Sequence, residues 1–126
     1  TDQTALNGSE NTDKVVAIMP GTSGNTQAEF PIFYAVNRFR TNGTSAGDWY
    51  VPSKGELSLY KDNYADINAK IEAIKNASSS IVNTVSYTQW SSTEYTKTNV
   101  WELYNDGSWK SYARNSDYSI RGMIAL

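Results

Sequence analysis

The chain has 126 residues, 39% of them hydrophobic and 13% aromatic, which is enough for one domain with its own core and too apolar for a disordered segment. Its net charge is −2, and it lacks the clustered Lys and Arg that a nucleic-acid backbone requires. Cysteine and histidine are both absent, which excludes disulfides, zinc sites, cysteine nucleophiles and imidazole-based triads.

No apolar run approaches the roughly 20 residues needed to span a bilayer, and no signal peptide opens the sequence. We therefore expect neither direct membrane insertion by this domain nor a nucleic-acid partner. The first residue is Thr1 rather than Met. We expect residues 1–126 to form a single domain, excised or processed from a longer surface protein as its C-terminal module.

The first half of the chain carries helical signals. Residues 1–12 are polar and turn-rich, whereas the apolar residues 15–19 predict a short helix that Pro20 ends. Apolar side chains at near-helical spacing predict a second helix over residues 31–40, with Phe39 on its buried stripe.

Residues 49–51 are typical of a short strand that the following proline stops. Ser53 and Glu56 then have the spacing of a capping box, in which the hydroxyl and the carboxylate satisfy free amides at the start of a helix. This pattern predicts a helix to about Asp62. Its inward-facing side chains would be Leu57, Leu59 and Tyr60. A further helix is predicted up to about residue 77, because three isoleucines repeat at i, i+4 and i+7: Ile67, Ile71 and Ile74.

From residue 81 onward the apolar period alternates, as it does in strands. Residues 100–105 place Trp101 with Leu103 on one face, and residues 105–107 (Asn-Asp-Gly) predict a hairpin to a return strand over residues 108–113. A last strand is predicted over residues 119–126. Helices precede strands, which indicates an α+β domain whose strands bury one face and present the other, with their loops, to a ligand.

Three phrases, in this order, resemble one family. Residues 49–57 (WYVPSKGEL) resemble a W-x-L-P-[ST]…E-L helix entry, residues 90–94 (WSSTE) resemble Y-W-S-S-T, and residues 100–107 with residues 121–123 resemble A-W…D-G…R-P-V. Together they resemble the C-terminal domain family of the Legionella collagen-like adhesins, found also on surface proteins of gut Bacteroidetes beside fimbrillin-like modules. The resemblance covers the chain from about Ser9 to its end.

This resemblance implies a C-type-lectin-like fold, with two to three helices packed on a small twisted antiparallel sheet and a loop-rich ligand face. It also implies similarity to variable proteins of diversity-generating retroelements, whose diversified C-terminal residues are rich in Asn, Tyr, Ser, Asp and Thr. Residues 95–99 and 111–119 have that composition. The sequence departs from the family pattern at Gln89, where an aromatic residue is usual, and at Gly122, where proline is common.

Several chemistries of this fold are not implied. The paired cysteines and Glu-Pro-Asn calcium motif of vertebrate lectins are absent, as are the active-site cysteines of formylglycine-generating enzymes. Nothing fixes two carboxylates at the roughly 5 to 9 Å that glycoside hydrolysis requires. The carboxylates considered for it are Glu94, Glu102, Asp106 and Asp117. No spaced calcium loop is present, so we assign no catalytic or metal-binding residue and expect no cofactor.

Six residues are expected to hold the fold rather than touch a ligand: Ser53, Glu56, Trp90, Glu94, Trp101 and Arg121. The serine and Glu56 form the capping box, and the two tryptophans are expected in the core. Glu94 and Arg121 flank strands, and we expect each to form an ion pair or to bind backbone amides, with ligand contact as the alternative.

Eight residues are the candidates for ligand binding: Tyr95, Asn99, Trp109, Tyr112, Arg114, Asn115, Asp117 and Tyr118. Tyrosine and tryptophan offer large contact areas with few rotors to freeze, while Asn and Arg supply adaptable hydrogen bonds, as in antibody paratopes. The plain alternative is a set of solvated loops that touch no partner.

The sequence therefore predicts a non-enzymatic, adhesin-like binding module of an exported bacterial cell-surface protein. Its partner would be a protein or glycan on another cell, phage or host surface. A retroelement-diversified variable protein is a special case of this prediction. The alternatives are a structural or pilus-tip assembly domain and, less favoured, a glycan-acting enzyme.

Overall fold

The computed structural model describes residues 2–19, 29–77, 88–116 and 120–124. These residues form four helices and five strands: α1 (Gly8–Ile18), α2 (Pro31–Arg38), β1 (Trp49–Tyr50), α3 (Lys54–Asp62), α4 (Tyr64–Ala77), β2 (Gln89–Glu94), β3 (Asn99–Leu103), β4 (Trp109–Ala113) and β5 (Met123–Ile124). Helices precede the main strands, and the predicted α+β class is confirmed.

The strands form two small antiparallel sheets, one with the order β2-β3-β4 and one that pairs β1 with β5. The predicted β3–β4 hairpin is present, since the Tyr104 N–H donates to the Ser108 carbonyl at 2.8 Å. Gly107 in its turn has a φ of +80°, which favours glycine. Within residues 120–124, the predicted last strand is shorter than expected and is confined to Met123–Ile124.

Both faces of the larger sheet are covered, which corrects the prediction of one buried and one presented face. Trp101 shares a face with Leu103 as predicted, because they lie two residues apart on β3, and α3 packs on β2 and β3. The opposite face carries Val100 and Glu102, which are 5% and 0% exposed, because it packs on the core. The prediction missed this because alternation alone does not show how many layers cover a sheet.

The main core lies between α1, α2, β1 and one face of β2-β3-β4. Its buried side chains are Phe30, Ile32, Phe33, Val36, Val51, Trp90 and Val100. The core position predicted for Trp90 is confirmed. Phe39 was expected on the buried stripe, but α2 ends at Arg38 and Phe39 is 49% exposed, where its ring packs edge-on against Trp49 at 5.2 Å.

The predicted capping box is confirmed, and its glutamate also binds two other elements. The Ser53 N–H donates to Glu56 Oε2 at 2.7 Å, and the Glu56 N–H donates to Ser53 Oγ at 3.2 Å. The same carboxylate accepts hydrogen bonds from the Gly8 N–H at 3.1 Å and from the Tyr50 hydroxyl at 3.2 Å. Glu56 therefore joins α1, β1 and α3.

Helix α1 begins at Gly8, well before the apolar residues that predicted it. Gly8 and Thr12 of this polar segment are buried, and Thr12 Oγ1 donates to the Gly8 carbonyl at 2.8 Å and accepts from the Val51 N–H at 2.9 Å. A Cβ at position 8 would meet the Val51 carbonyl oxygen at 2.7 Å. Long-range packing extends the helix through residues whose composition is typical of a turn.

Helices α3 and α4 differ in how deeply they pack. Leu57 is buried as predicted, whereas Leu59, also predicted to face inward, is 52% exposed. Helix α4 contains no buried residue, and Ile74 of its predicted apolar stripe is 51% exposed. The Lys70–Asp66 pair at 2.8 Å lies on its surface.

Candidate binding site

The β2–β3 hairpin positions two of the eight predicted ligand residues, Tyr95 and Asn99. The Tyr95 N–H donates to the Asn99 carbonyl at 2.9 Å, and the Asn99 N–H donates back to the Thr96 carbonyl at 3.3 Å. At the end of β4, the Arg114 N–H donates to the Thr98 carbonyl at 2.9 Å. The hairpin and the end of β4 therefore form one connected edge of the domain.

Three of the predicted ligand residues line one polar cleft of about 230 Å³ at this edge. We call it the Arg114 cleft, and its lining residues are Glu29, Thr98, Asn99, Ala113, Arg114 and Asn115. Thr98 belongs to the segment 95–99 that has the composition of a diversified surface, whereas nothing in the sequence pointed to Glu29. Glu29 lies far away in sequence, immediately before α2, so only the folded chain brings its carboxylate to the cleft.

The Arg114 side chain is held in place by two contacts. Its Nη1 donates to the Lys97 carbonyl at 3.0 Å, and its guanidinium carbon lies 4.8 Å from the ring centroid of the buried Phe30. No ion pair of Arg114 occurs among the described residues. A guanidinium has five N–H donors, so most of them remain available to a ligand.

A smaller pocket of about 60 Å³ adjoins this cleft and shares Asn99 and Arg114 with it. Glu94 lines this pocket and is exposed. The predicted ion pair or backbone contact of Glu94 is wrong, since its side chain has neither in the described part of the chain. The carboxylate lies at a strand end where water solvates it.

Two other predicted ligand residues, Tyr95 and Trp109, belong to a different cluster on the α3 side of the sheet. Lys54 Nζ lies 3.8 Å from the ring centroid of Trp101 and 5.0 Å from that of Trp109. The rings of Tyr95 and Trp101 meet edge to face at 4.7 Å. We call Lys54, Tyr95, Trp101 and Trp109 the Lys54 platform.

Trp101 is half-buried rather than a full core residue as predicted, because it lies at this partly covered surface. Lys54 was missed altogether. A lysine at the first position of a helix opposes the positive end of the helix dipole, and that mismatch was a signal in the sequence. Burial lowers the pKa of the Lys54 ammonium from its ordinary value.

The remaining predicted residues do not join either cluster. Tyr112 was predicted to contact a ligand, but it pairs with Val100 and packs against the main core, because it lies on the core face of β4. Arg121 is exposed and lines an apolar groove of about 540 Å³ beside Phe39 and Trp49, and it forms no ion pair with any residue that the structure describes. Asp117 and Tyr118 lie outside the described residues.

Within the described ranges, no three acidic side chains come together as a metal site would require. None of the helices in these ranges combines the length and apolar character needed to cross a membrane. No family model matches the sequence, and neither the curated proteins nor the solved structures contain a match.

Proposed function

We propose that this domain is a non-enzymatic binding module of an exported bacterial cell-surface protein, with the Arg114 cleft as its ligand site. The observation that carries the proposal is the Arg114 guanidinium, which is held by Phe30 and the Lys97 carbonyl and forms no ion pair with a described residue. A charged group held in this way is ready to meet a partner at little cost.

The proposed mechanism is recognition by a preorganised surface. Hydrogen bonds within the β2–β3 hairpin and from Arg114 to Thr98 hold the cleft residues before a ligand arrives. Freezing an unrestrained, rotamer-rich side chain costs about 0.5–1.5 kcal/mol on binding, and this cost is reduced here. Asn99 and Asn115 add amide donors and acceptors beside the guanidinium.

We further propose the C-type-lectin-like fold and membership of the adhesin family that the sequence resembles. The four helices before the β2-β3-β4 sheet support this proposal, as does the position of the WSSTE phrase on β2 beside the ligand edge. The diversified form of the module predicts a reverse-transcriptase gene and an adenine-rich template repeat next to the gene. Fimbrial assembly genes alone would favour the structural alternative.

The test is the Arg114→Gln variant, which removes the charge but leaves the backbone bond to Thr98. Labelled domain would be applied to a glycan array and to fixed bacterial and host epithelial cells. We expect binding to weaken about tenfold or more, because hydrogen bonds to charged groups contribute about 1.5–3 kcal/mol. Arg40→Gln is the matched control, since Arg40 is exposed and outside the cleft.

If the Arg114→Gln variant binds as tightly as wild type and its melting temperature is unchanged, the cleft is not the ligand site. A loss of binding in both arginine variants would indicate a general effect of charge instead of a site.

The alternative assembly function is favoured by one observation, the apolar groove beside Phe39 and Trp49. An assembly domain would associate through such a surface, so Phe39→Ser would lower the molar mass measured by light scattering after gel filtration. Arg114→Gln would leave that mass unchanged. The glycan-acting enzyme remains the third alternative, and analysis of oligosaccharide products after incubation would reveal it.

A further inference from the structure

The Lys54 platform contains a cation that forms no ion pair with the described part of the chain. Its ammonium contacts the faces of two indoles, and it donates a hydrogen bond to the Gln3 side-chain carbonyl. No carboxylate forms an ion pair with Lys54 among the described residues. Three neutral groups, two indoles and the Gln3 side chain, therefore surround the ammonium. It has three N–H donors, and one of them makes the hydrogen bond to Gln3.

This arrangement is partly desolvated, which makes a missing counter-ion significant. Lys54 is half-buried and burial lowers its pKa, so the protein environment disfavours the charge. The helix terminus disfavours it as well. Contact with the indole faces of Trp101 and Trp109 offsets part of that cost. An anion from a ligand would be attracted by a charge that water screens less than usual.

The rest of the platform offers flat apolar surface at the same place. Tyr95 is 53% exposed, and Trp101 and Trp109 are half-buried. Ser111 pairs with Trp101 across β3 and β4, so a hydroxyl shares this face of the sheet. The Trp101 indole N–H is buried and has no acceptor within the described residues. Aromatic surface, a hydroxyl and an ammonium thus lie together.

We propose that the Lys54 platform is a second subsite, which binds a saccharide carrying a carboxylate group. The C–H face of a pyranose ring would stack on the exposed aromatic surface, and its carboxylate would bind the Lys54 ammonium. This inference rests on the proposed function in that the domain must be a binding module. It uses none of the residues of the Arg114 cleft.

A saccharide fits these observations better than an acidic peptide does. A peptide that extended the sheet would use the backbone of an edge strand, and its affinity would come from main-chain hydrogen bonds. The Lys54 platform instead presents ring faces and one side-chain cation. A peptide would also freeze more backbone and side-chain rotors on binding than a saccharide ring does.

The test compares charged and neutral forms of the same sugars. Tetragalacturonate and sialyllactose, each beside its own methyl ester, would be titrated into the domain while the indole N–H signals of Trp101 and Trp109 are followed by NMR. We expect one acidic sugar to bind at least about tenfold more tightly than its neutral form. Tetragalacturonate and sialyllactose distinguish a uronate from a sialate as the source of the carboxylate.

Variants then locate the binding. Lys54→Met should weaken binding of the acidic sugar about tenfold or more, and Trp109→Ala should weaken both charged and neutral forms. Lys110→Met is the matched control, because it removes a lysine that contacts an aromatic ring, Tyr104 at 3.2 Å, on the opposite face of the same sheet. Circular dichroism would confirm that each variant is folded.

The outcomes separate this inference from the proposed function. Equal binding by Lys54→Met and wild type would overturn the subsite, as would tighter binding of an acidic peptide than of any acidic sugar. If Arg114→Gln loses array binding while Lys54→Met binds the acidic sugar as tightly as wild type does, the cleft is supported and the platform is not a subsite. If Lys54→Met loses binding of the acidic sugar and Arg114→Gln retains array and cell binding, the platform is supported as a binding site and the cleft is not.

Discussion

Two glutamates of this domain, Glu56 and Glu102, occupy opposite electrostatic environments. Glu56 accepts hydrogen bonds from the backbone of Gly8 and Ser53 and from the Tyr50 hydroxyl. Glu102 is 0% exposed, yet neither of its oxygens accepts a hydrogen bond of normal geometry among the described residues. The first carboxylate joins three elements through hydrogen bonds, whereas burial disfavours the ionised form of the second.

The two carboxylates differ because only Glu56 lies near free backbone N–H groups that replace the water lost on burial. Glu56 lies at a helix start, where free backbone N–H groups are available in every fold that contains the helix. Glu102 lies in the middle strand of a sheet, where the backbone donors are already used by neighbouring strands. Burial raises the pKa of Glu102, and the Trp90 indole and the Lys110 ammonium act in the opposite direction.

The largest expected effect is that of Glu56→Ala. It removes half of the capping box and leaves the Gly8 and Ser53 amides without their acceptor. We expect the free energy of unfolding to fall by about 3 kcal/mol, the sum of a lost cap and lost hydrogen bonds to a charged group. Urea denaturation would measure it, with Glu10→Ala as control because Glu10 pairs with Lys14 at the exposed surface. A loss no larger than that of the control would contradict the central role of Glu56.

A smaller effect of opposite sign is expected for Glu102→Gln. Between the ordinary glutamate pKa of 4.5 and the raised pKa of Glu102, the folded state binds more protons than the unfolded state. The wild-type free energy of unfolding should therefore fall as pH rises through this window, by about 1.4 kcal/mol for each unit of pKa elevation. The variant should lack this decline and be more stable than wild type above the window.

Thermal denaturation of both proteins from pH 4 upward would follow that difference. If Glu102→Gln is less stable than wild type at every pH, then the charged carboxylate is stabilised by its surroundings and the contrast with Glu56 fails.

The smallest expected effect is the coupling between Glu102 and Lys110, which pair across β3 and β4. Lys110→Met should destabilise the wild type slightly more than it destabilises the Glu102→Gln background, by about 0.5 kcal/mol. The contact of Lys110 with the Tyr104 ring is lost in both backgrounds and so cancels in the double-mutant cycle. An absence of coupling would show that Lys110 acts on Tyr104 alone.

The contrast between local contacts, as at Glu56, and long-range contacts, as at Glu102, also explains which parts of the candidate site were predictable. The residue types of the Arg114 cleft were named from composition, and Asn99, Arg114 and Asn115 do lie together. Glu29 was not found because it reaches the cleft from another part of the chain. Tyr95 and Trp109 were predicted as ligand candidates together with Arg114, whereas the structure places them in the separate Lys54 platform, which depends on the docking of α3.

The sequence by itself determined the features whose physical causes lie within a few residues. The capping box, the Asn-Asp-Gly hairpin, the α+β order and the pairing of Trp101 with Leu103 on one face depend on local hydrogen bonds, turn geometry and strand alternation. Only the tertiary structure decided that α1 begins at Gly8, that Tyr112 packs on the core and that Glu102 is buried. These outcomes depend on layers brought together from distant parts of the chain, and local spacing carries no information about which layer covers a given face.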